Sequence, residues 1–302
     1  MSNSSVEISI VVPVYNSSPT IHELVSRIQA ALSPLGITYE ILLTDDCSTD
    51  DSWLKISNEC QSHRNVIGLR LSQNYGQWFS TLAGLSASSG RYIVTLDDDL
   101  EYNPEDIVKL HNAILNSAHL VIFGSAKNKY ELQGKNLLIY KCINAFLDVI
   151  WNSQPRVSFK MISRKLLFNE NVFIVKEPID TFIARHVTTD LWRTIQVTFD
   201  KRFSGKSNYS FSKKVKLFFI YSSYISSSPS RWIAFFSVLF FLVGFGGFYL
   251  AATGYLYTLS GLAIGVSLLF IVMIDLYYIL MALIKPAQSS LYSITELIRR
   301  EQ

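Results

Sequence analysis

Three consecutive aspartates, Asp97, Asp98 and Asp99, follow an apolar run that ends at Leu96. Asp97 and Asp99 are two residues apart, so in extended backbone both carboxylates point to one side while Asp98 points to the other. Two carboxylates with no His or Cys nearby favour a hard cation, Mg²⁺ or Mn²⁺, that is shared with phosphate oxygens. The cluster therefore predicts a metal site at Asp97 and Asp99 that neutralises a diphosphate.

Two further polar clusters follow apolar runs nearer the amino terminus, PVYN at residues 13–16 and DDCS at residues 45–48. Asp, Asn and Ser favour turns for reasons of their own, so any one cluster could be an ordinary turn. In open α/β sheets, however, ligands bind beyond the carboxyl ends of the strands. The sequence has no glycine-rich phosphate motif of the P-loop or dinucleotide type, so a metal would have to neutralise the charge of a bound diphosphate. The clusters together therefore favour metal-assisted transfer from a nucleotide diphosphate sugar.

The elements that must position these clusters alternate between apolar and amphipathic runs, which indicates an α/β fold with a mostly parallel sheet. Buried strands are predicted at Ile8–Val14, Glu40–Leu43, Val66–Leu71, Tyr92–Leu96 and Leu120–Phe123. Helices are predicted from the pair Ser18–Pro19, around Trp78–Leu85, from Pro104, and over Asn136–Trp151.

The character of the chain changes after residue 208. Two hydrophobic segments, near Ile233–Ala252 and Gly261–Ile284, each hold roughly 20 or more residues, enough to cross a hydrocarbon core of about 30 Å. Two buried core helices are the alternative, but a domain of this size could not enclose both. Basic residues flank the pair on both sides and the connection is uncharged, so the positive-inside rule predicts a hairpin with cytosolic flanks.

The predicted organisation has four parts. Residues 1–208 form a cytosolic catalytic domain, 209–231 a basic juxtamembrane segment, 232–285 two membrane helices, and 286–302 a cytosolic tail. No signal peptide opens the chain, and we expect the catalytic half to stay in the compartment where it is made.

Charge and cysteine content exclude several classes of protein. The net charge of +3 gives no support to a nucleic-acid partner. The three cysteines, Cys47, Cys60 and Cys142, are odd in number and none forms a C-x-x-C pair. This argues against a disulfide framework or a zinc site and suits a reducing cytosol.

The ordered motifs resemble glycosyltransferase family 2. They are IVVPVYN at 10–16, LTDDCSTD at 43–50, LSQNYG at 71–76 and DDDLE at 97–101. Within that family the chain is similar to the branch of dolichol-phosphate mannose synthase and bacterial undecaprenyl-phosphate glycosyltransferases. That branch shares the R-x-x-G-K-S-N-Y motif at 202–209 and Pro229-Ser230-Arg231 at the entrance to the membrane anchor.

The resemblance implies an inverting GT-A fold, with a Rossmann-like, mostly parallel sheet, and assigns site residues by motif. The residues implied at the nucleotide are Pro13, Tyr15, Asn16, Asp45, Asp46, Asn74, Gly76 and Asp98. Asp97 and Asp99 match the metal and diphosphate site, and Arg202 is given a part in catalysis. The cations implied at the acceptor phosphate are Lys160, Arg202, Lys206 and Arg231.

The implied reaction is the transfer of a single sugar from a nucleotide diphosphate sugar to undecaprenyl phosphate or a related polyprenyl phosphate. A UDP-linked donor is favoured over a GDP-linked one, and Mg²⁺ or Mn²⁺ is the expected cofactor. The product would be a lipid-linked sugar for cell-surface glycan modification. The resemblance further implies a multi-pass protein of the bacterial inner membrane that assembles as a homotetramer.

Four positions depart from the residues usual in the family. Ser17 stands in place of Glu, Cys47 of Gly, Gln73 of Arg and Glu101 of Gln. These departures leave open a catalytically inactive, membrane-tethered nucleotide-binding subunit, against which the retention of Asp97 and Asp99 argues. A processive polysaccharide synthase is the other alternative. It ordinarily has more membrane spans and a Gln-x-x-Arg-Trp motif, of which residues 228–232 carry only the final Arg-Trp.

Overall fold

A mixed eight-stranded sheet forms the centre of the computed structural model, which describes residues 6–126, 155, 157–169, 172–173, 178–201, 203 and 294–299. The strands in chain order are β1 (Ile8–Val14), β2 (Tyr39–Asp45), β3 (Val66–Leu71), β4 (Tyr92–Thr95), β5 (Val121–Ser125), β6 (Lys160–Ser163), β7 (Phe168–Asn169), β8 (Val172–Phe173), β9 (Trp192–Gln196) and β10 (Ile294–Arg299). In space the large sheet runs β10-β3-β2-β1-β4-β6-β5-β9, and β7 pairs with β8 apart from it.

Four neighbouring strands, β3, β2, β1 and β4, are parallel. The carboxyl ends of these strands therefore lie side by side at one end of the sheet. We call this end the donor edge, after the sugar donor that the resemblance implies there. Beyond β4 the sheet is mixed, because β6 runs antiparallel between β4 and β5. On the opposite side of the sheet, β10 runs antiparallel to β3. The expectation of a mostly parallel sheet thus holds for the half that carries the polar clusters.

Helices cover both faces of the sheet. They are α1 (Ile21–Leu32), α2 (Ser52–Ser62), α3 (Gln77–Ala87), α4 (Ile107–Leu115), α5 (Arg164–Leu167) and α6 (Ile179–His186), with short 3₁₀ turns at Ser33–Leu35 and Pro104–Asp106. Residues along β1 alternate between the two faces, as strand geometry requires. Val12 joins the cluster that contains residues of α1, α2 and α4, while Val11 joins the cluster formed with α3 and α6.

The first helix begins later than its sequence indicates. Ser18 and Pro19 were the predicted start, whereas α1 begins at Ile21 with Thr20 at its N-cap. The Ser18 N–H donates to the Asp50 carboxylate at 3.1 Å, and the Thr20 hydroxyl donates to the Ser17 carbonyl at 2.8 Å. These contacts hold the stretch as a turn tied to the loop after β2, so it does not form the first turn of the helix.

The carboxyl-terminal strand β10 was not predicted. The tail was expected only to lie in the cytosol, but its residues 294–299 pair with β3 and form the outermost strand on that side of the sheet. By backbone contacts the chain divides into two compact units, Met1–Asn208 with Tyr292–Gln302, and Tyr209–Leu291. The carboxyl terminus therefore belongs to the same unit as the strands that carry the polar clusters.

The predicted helix at Asn136–Trp151 and both predicted membrane segments lie outside the described residues. Among the helices that are described, none has the length and apolar character needed to cross a membrane.

Candidate active site at the donor edge

Three loops leave the donor edge, after β1, β2 and β4, and each contains one residue other than glycine with positive φ. These residues are Asn16 at 52°, Cys47 at 56° and Leu100 at 59°. Left-handed backbone is costly for most side chains and is easiest for Gly and then Asn. This conformation explains why Gly is usual at the position of Cys47 in the family that the chain resembles. The three residues with strained backbone angles thus lie in the same loops as the predicted ligand residues.

Hydrogen bonds join the loop after β1 to the loop after β2. The Asn16 N–H donates to the Ser48 hydroxyl at 3.0 Å, and Asn16 Oδ1 accepts the Thr49 N–H at 2.9 Å. The Asp46 N–H donates to the Val14 carbonyl at 2.9 Å. Asn16, expected at the nucleotide, is exposed and also serves as a brace between the two loops.

Asp45 is fully buried at the end of β2. Its carboxylate accepts the Ser48 N–H at 3.1 Å and lies 3.3 Å from the Arg70 guanidinium. Burial raises the pKa of Asp45, while hydrogen bonds from Ser48 and the charge of Arg70 act in the opposite direction. In this arrangement Asp45 braces the loop from within, and a direct contact between Asp45 and a nucleotide would require it to open.

Asp46 joins the loop after β2 to the segment that follows β3. Its Oδ1 accepts the Tyr75 N–H and its Oδ2 accepts the Gly76 N–H, each at 2.8 Å. Burial raises the pKa of Asp46 to about 6, against the lowering effect of these two hydrogen bonds. The structure thus brings together two residues that the motifs assign to the nucleotide, Asp46 and Gly76, with exposed Asn74 beside them.

The other residues of the first motif assigned to the nucleotide are Pro13 and Tyr15. Pro13 is enclosed within β1, opposite Thr44 of β2, so its side chain does not face solvent. Tyr15 is half-buried and begins the loop, and its N–H donates to Asp98 Oδ2 at 3.2 Å.

The three aspartates after β4 have different partners. Asp98 is held at the end of β1, where burial raises its pKa to about 7 despite hydrogen bonds from Ser17 and Tyr15. Asp97 Oδ1 instead accepts the Gln77 side-chain amide at 2.7 Å. Asp99 Oδ1 accepts the Glu101 N–H at 3.1 Å.

A divalent cation fits the chemistry of Asp97 and Asp99. Both residues are partly exposed at the donor edge. In the part of the chain that the structure describes, no group of three or more His, Cys, Asp or Glu side chains could hold a metal by itself. Mg²⁺ usually takes only one or two carboxylates and completes its shell with water and substrate phosphates, so a pair of carboxylates is sufficient.

Gln77 is a site residue that the sequence reasoning missed. It is the first residue of α3, directly after the LSQNYG motif, and its amide reaches Asp97 on a different loop. The available signal was its position beside a motif glycine, but which side chain it meets depends on the packing of α3 against the sheet.

The expected acceptor cations are described only at Lys160. This side chain is 2% exposed, and its ammonium donates to Asp180 Oδ1 at 2.5 Å and to the Val157 carbonyl at 2.7 Å. Asp180 lies in the first turn of α6 and is partly exposed. The charge of Lys160 is therefore already balanced within the protein.

Arg202, Lys206 and Arg231 lie outside the described residues. The chain on either side of Arg202 nevertheless meets the aspartate loop. The Asp200 N–H donates to the Glu101 carbonyl at 2.8 Å, and the Phe203 N–H donates to the Asp99 carbonyl at 3.2 Å.

The described sheet, with carboxylates at the ends of its parallel strands, has the architecture expected of a GT-A fold, and comparisons with known proteins give the family. The model of the family "Glycosyl transferase family 2" matches residues 9–173, more than half of the chain. The chain therefore belongs to glycosyltransferase family 2.

Two curated relatives cover most of the chain. An undecaprenyl-phosphate 4-deoxy-4-formamido-L-arabinose transferase of Salmonella enteritidis is 31% identical over 255 residues, which are 81% of this chain and 74% of the relative. The enzyme of the same name from Klebsiella pneumoniae is 29% identical over 261 residues, covering 79% of this chain and 73% of the relative.

Solved structures share the fold. Glucosyl-3-phosphoglycerate synthase from Mycobacterium tuberculosis, in complex with Mn²⁺, UDP-glucose and phosphoglyceric acid, has a TM-score of 0.53 at 17% identity, over 74% of this chain and 81% of that one. Mannosyl-3-phosphoglycerate synthase from Rubrobacter xylanophilus has a TM-score of 0.52 at 14% identity, over 76% of this chain and 74% of that one. The expected GT-A-type α/β fold is confirmed for the domain that carries the site.

Proposed function

We propose that this glycosyltransferase transfers one sugar, with inversion, from a nucleotide diphosphate sugar to undecaprenyl phosphate or a related polyprenyl phosphate. One observation carries the proposal: the aspartate loop after β4 is tied on one side to the loop after β1 and on the other to the segment at 200–203. The first contact belongs to the donor motifs, and the second leads to the basic motif that begins at Arg202. The names of the two curated relatives support the same acceptor.

The donor half of the proposal rests on Asp97 and Asp99. These carboxylates would hold Mg²⁺ or Mn²⁺, which when bound offsets the charge that develops on the leaving diphosphate. Tyr15, Asn16, Asp46 and the 74–76 segment would surround the nucleotide. A UDP-linked donor is favoured, and a structural neighbour solved with Mn²⁺ and UDP-glucose is compatible with it.

The acceptor half needs no general base. A phosphate monoester has a second pKa near 6 and carries about −1.5 to −2 charges at pH 7, so its oxygen is already a nucleophile. The protein has to align that dianion and offset its repulsion from the donor diphosphate. We assign this task mainly to Arg202, with Lys206 and Arg231, because a phosphate at Lys160 would have to compete with Asp180.

The connectivity of the chain supports the proposed membrane topology. The described segment that ends at 203 and strand β10 at 294–299 belong to one unit, while both predicted spans lie in the sequence between them. A chain that leaves and rejoins the same domain crosses a bilayer an even number of times. This supports a two-helix hairpin with the catalytic domain in the cytosol, and we propose the bacterial inner membrane as the location. The homotetramer stays a prediction.

The test is a panel of nucleotide sugars supplied to the purified full-length chain with undecaprenyl phosphate, followed by the mass of the lipid product. We expect nucleotide release that depends on the lipid and a product heavier by one sugar. A ladder of heavier products would show a processive synthase. Nucleotide binding without release, for every donor in the panel, would show an inactive binding subunit.

A further inference from the structure

Hydrogen bonds join two strand-end carboxylates that belong to different loops. Asp46, after β2, accepts the N–H groups of Tyr75 and Gly76, each at 2.8 Å. Gly76 is the N-cap of α3, and Gln77, the first residue of that helix, donates its side-chain amide to Asp97 at 2.7 Å. The connection from Asp46 to Asp97 therefore runs through two backbone amides and one side chain.

The turn that Asp46 holds has a backbone conformation that few residues adopt. Gly76 has φ 97° and ψ 157°, a region that is essentially restricted to glycine. An added Cβ would meet nothing within 4 Å, so the backbone angle and not a lack of space requires glycine here. Asp46 thus stabilises the turn that sets where α3 begins.

Helix α3 has little freedom to shift on the sheet. The Ser80 hydroxyl donates to the Thr44 carbonyl at 2.6 Å in a buried position. A Cβ added at Gly84 would come within 2.5 Å of the Val11 side chain, which shows how closely the helix packs on β1. The position of Gln77 is therefore fixed from two directions, by the packing of its helix and by the turn that Asp46 holds.

We propose that Gln77 is a positioning residue for the metal-binding carboxylate of Asp97, and that Asp46 keeps Gln77 in place through the backbone of Tyr75 and Gly76. The inference rests on the proposed function, because it takes Asp97 as a metal ligand. The Gln77 amide binds one carboxylate oxygen and so fixes the direction of the other. Hydrogen-bond partners of metal ligands are typically worth roughly 10–100-fold in metal affinity.

This role for Asp46 differs from a contact with the nucleotide base, and binding measurements separate the two. A base contact contributes to UDP affinity whether or not metal is present. A residue that acts through Gln77 on Asp97 contributes only to the part of UDP affinity that depends on metal.

The experiment measures UDP affinity of the purified full-length chain by calorimetry, in EDTA and in saturating Mn²⁺. The ratio of the two affinities is the metal-dependent gain. Gln77→Leu removes the amide donor at similar side-chain size, and we expect it to reduce the gain roughly tenfold while affinity in EDTA stays within about twofold. Gln61→Leu, at an exposed glutamine on α2, is the matched control and should keep the full gain.

Asp46→Asn tests the second half of the proposal. We expect a reduced gain, and the double variant Asp46→Asn with Gln77→Leu should lose no more than the larger single loss, since both act on one path. Fold-losses that multiply, or a loss from Asp46→Asn that is equal in EDTA and Mn²⁺, would overturn the role given to Asp46.

An unchanged gain in Gln77→Leu would overturn the whole inference, even if Asp46→Asn failed to fold. Gln77 is exposed, so its variant should fold normally, which a melting curve checks. If the wild-type chain itself showed no metal-dependent gain, the metal site would be wrong. That result would contradict the proposed function, and this inference would fail with it.

Discussion

On the donor edge, hydrogen bonds from backbone N–H groups to two carboxylates join four segments in pairs. Asp98 joins the loop after β4 to the loop after β1, and Asp46 joins the loop after β2 to the segment after β3. Among the cations predicted to bind the acceptor phosphate, Lys160 has its charge balanced by Asp180. Arg202 lies outside the described residues, but residues 200 and 203 on either side of it contact the aspartate loop. The comparison suggests two separable tasks. The donor edge is organised by its own hydrogen bonds, whereas the charge for the acceptor phosphate comes from the later basic motif.

The largest effect is expected at the metal carboxylates. Asp97→Asn and Asp99→Asn should each lower kcat at least a hundredfold, on the order of the loss for other transition-state charge stabilisers, with the fold intact. EDTA should mimic the substitutions, and Mg²⁺ or Mn²⁺ should restore only the wild-type chain. Asp190→Asn, at an exposed aspartate before β9, is the control and should keep normal activity. Full activity in EDTA would contradict the metal site.

Arg202→Ala tests whether the acceptor task is separate. We expect transfer to polyprenyl phosphate to fall about a hundredfold, because a cation that offsets the repulsion between two phosphates is lost. UDP affinity should stay within a few-fold of wild type. Lys213→Ala, in the basic segment expected to meet anionic headgroups, should change membrane affinity alone. Normal transfer by Arg202→Ala, or a steep pH profile set by one carboxylate outside the metal site, would exclude the mechanism without a base.

Asp180→Asn asks whether Lys160 is structural. The substitution leaves a buried ammonium without its counter-charge, and we expect the free energy of unfolding to fall by about 2 kcal/mol. This is less than the usual cost of breaking a fully buried pair, because Asp180 is partly exposed. The melting temperature of the domain should fall by several degrees. Adding Lys160→Met should recover most of that loss. If Asp180→Asn kept its stability and bound the lipid phosphate more tightly, Lys160 would belong with the acceptor cations.

A smaller effect concerns pH and the Asp46 carboxylate. Burial raises its pKa from an ordinary value near 3.8 to about 6, so the folded protein binds this proton more tightly than the unfolded chain does. The resulting stabilisation is fully present below about pH 4 and is lost as the pH rises through about 6. Melting curves at pH 5 and pH 7 should show wild type gaining on Asp46→Asn as the pH falls. A difference between the two proteins that does not change with pH would contradict this assignment.

The sequence predicted the donor edge well because its signals are local. Strands Ile8–Val14 and Val66–Leu71 have the predicted bounds, and the clusters at 13–16, 45–48 and 97–99 lie at the carboxyl ends of parallel strands as expected. Asp97 and Asp98 do have different hydrogen-bond partners. The alternation argument assumed extended backbone, however, and β4 ends at Thr95, before the three aspartates.

What the sequence did not predict depends on contacts between distant residues. The four residues of β6, KMIS, carry no information about the direction of the strand, and nothing local shows that β10 returns to pair with β3. The burial of Lys160 depends on Asp180, twenty positions later, and the partner of Gln77 on the packing of α3. Such pairs are determined by tertiary packing, which residue patterns within one segment do not record.

Hydrogen–deuterium exchange tests most directly whether the donor edge is organised by its own hydrogen bonds. In the full-length chain without ligand, the Tyr75 and Gly76 amides should already exchange slowly, because Asp46 binds both. Addition of UDP with Mn²⁺ should change them little, and Asp46→Asn should speed their exchange. Rapid exchange of these two amides in the free protein, slowed only when the donor binds, would show that the donor edge is formed by its ligand and would contradict this account.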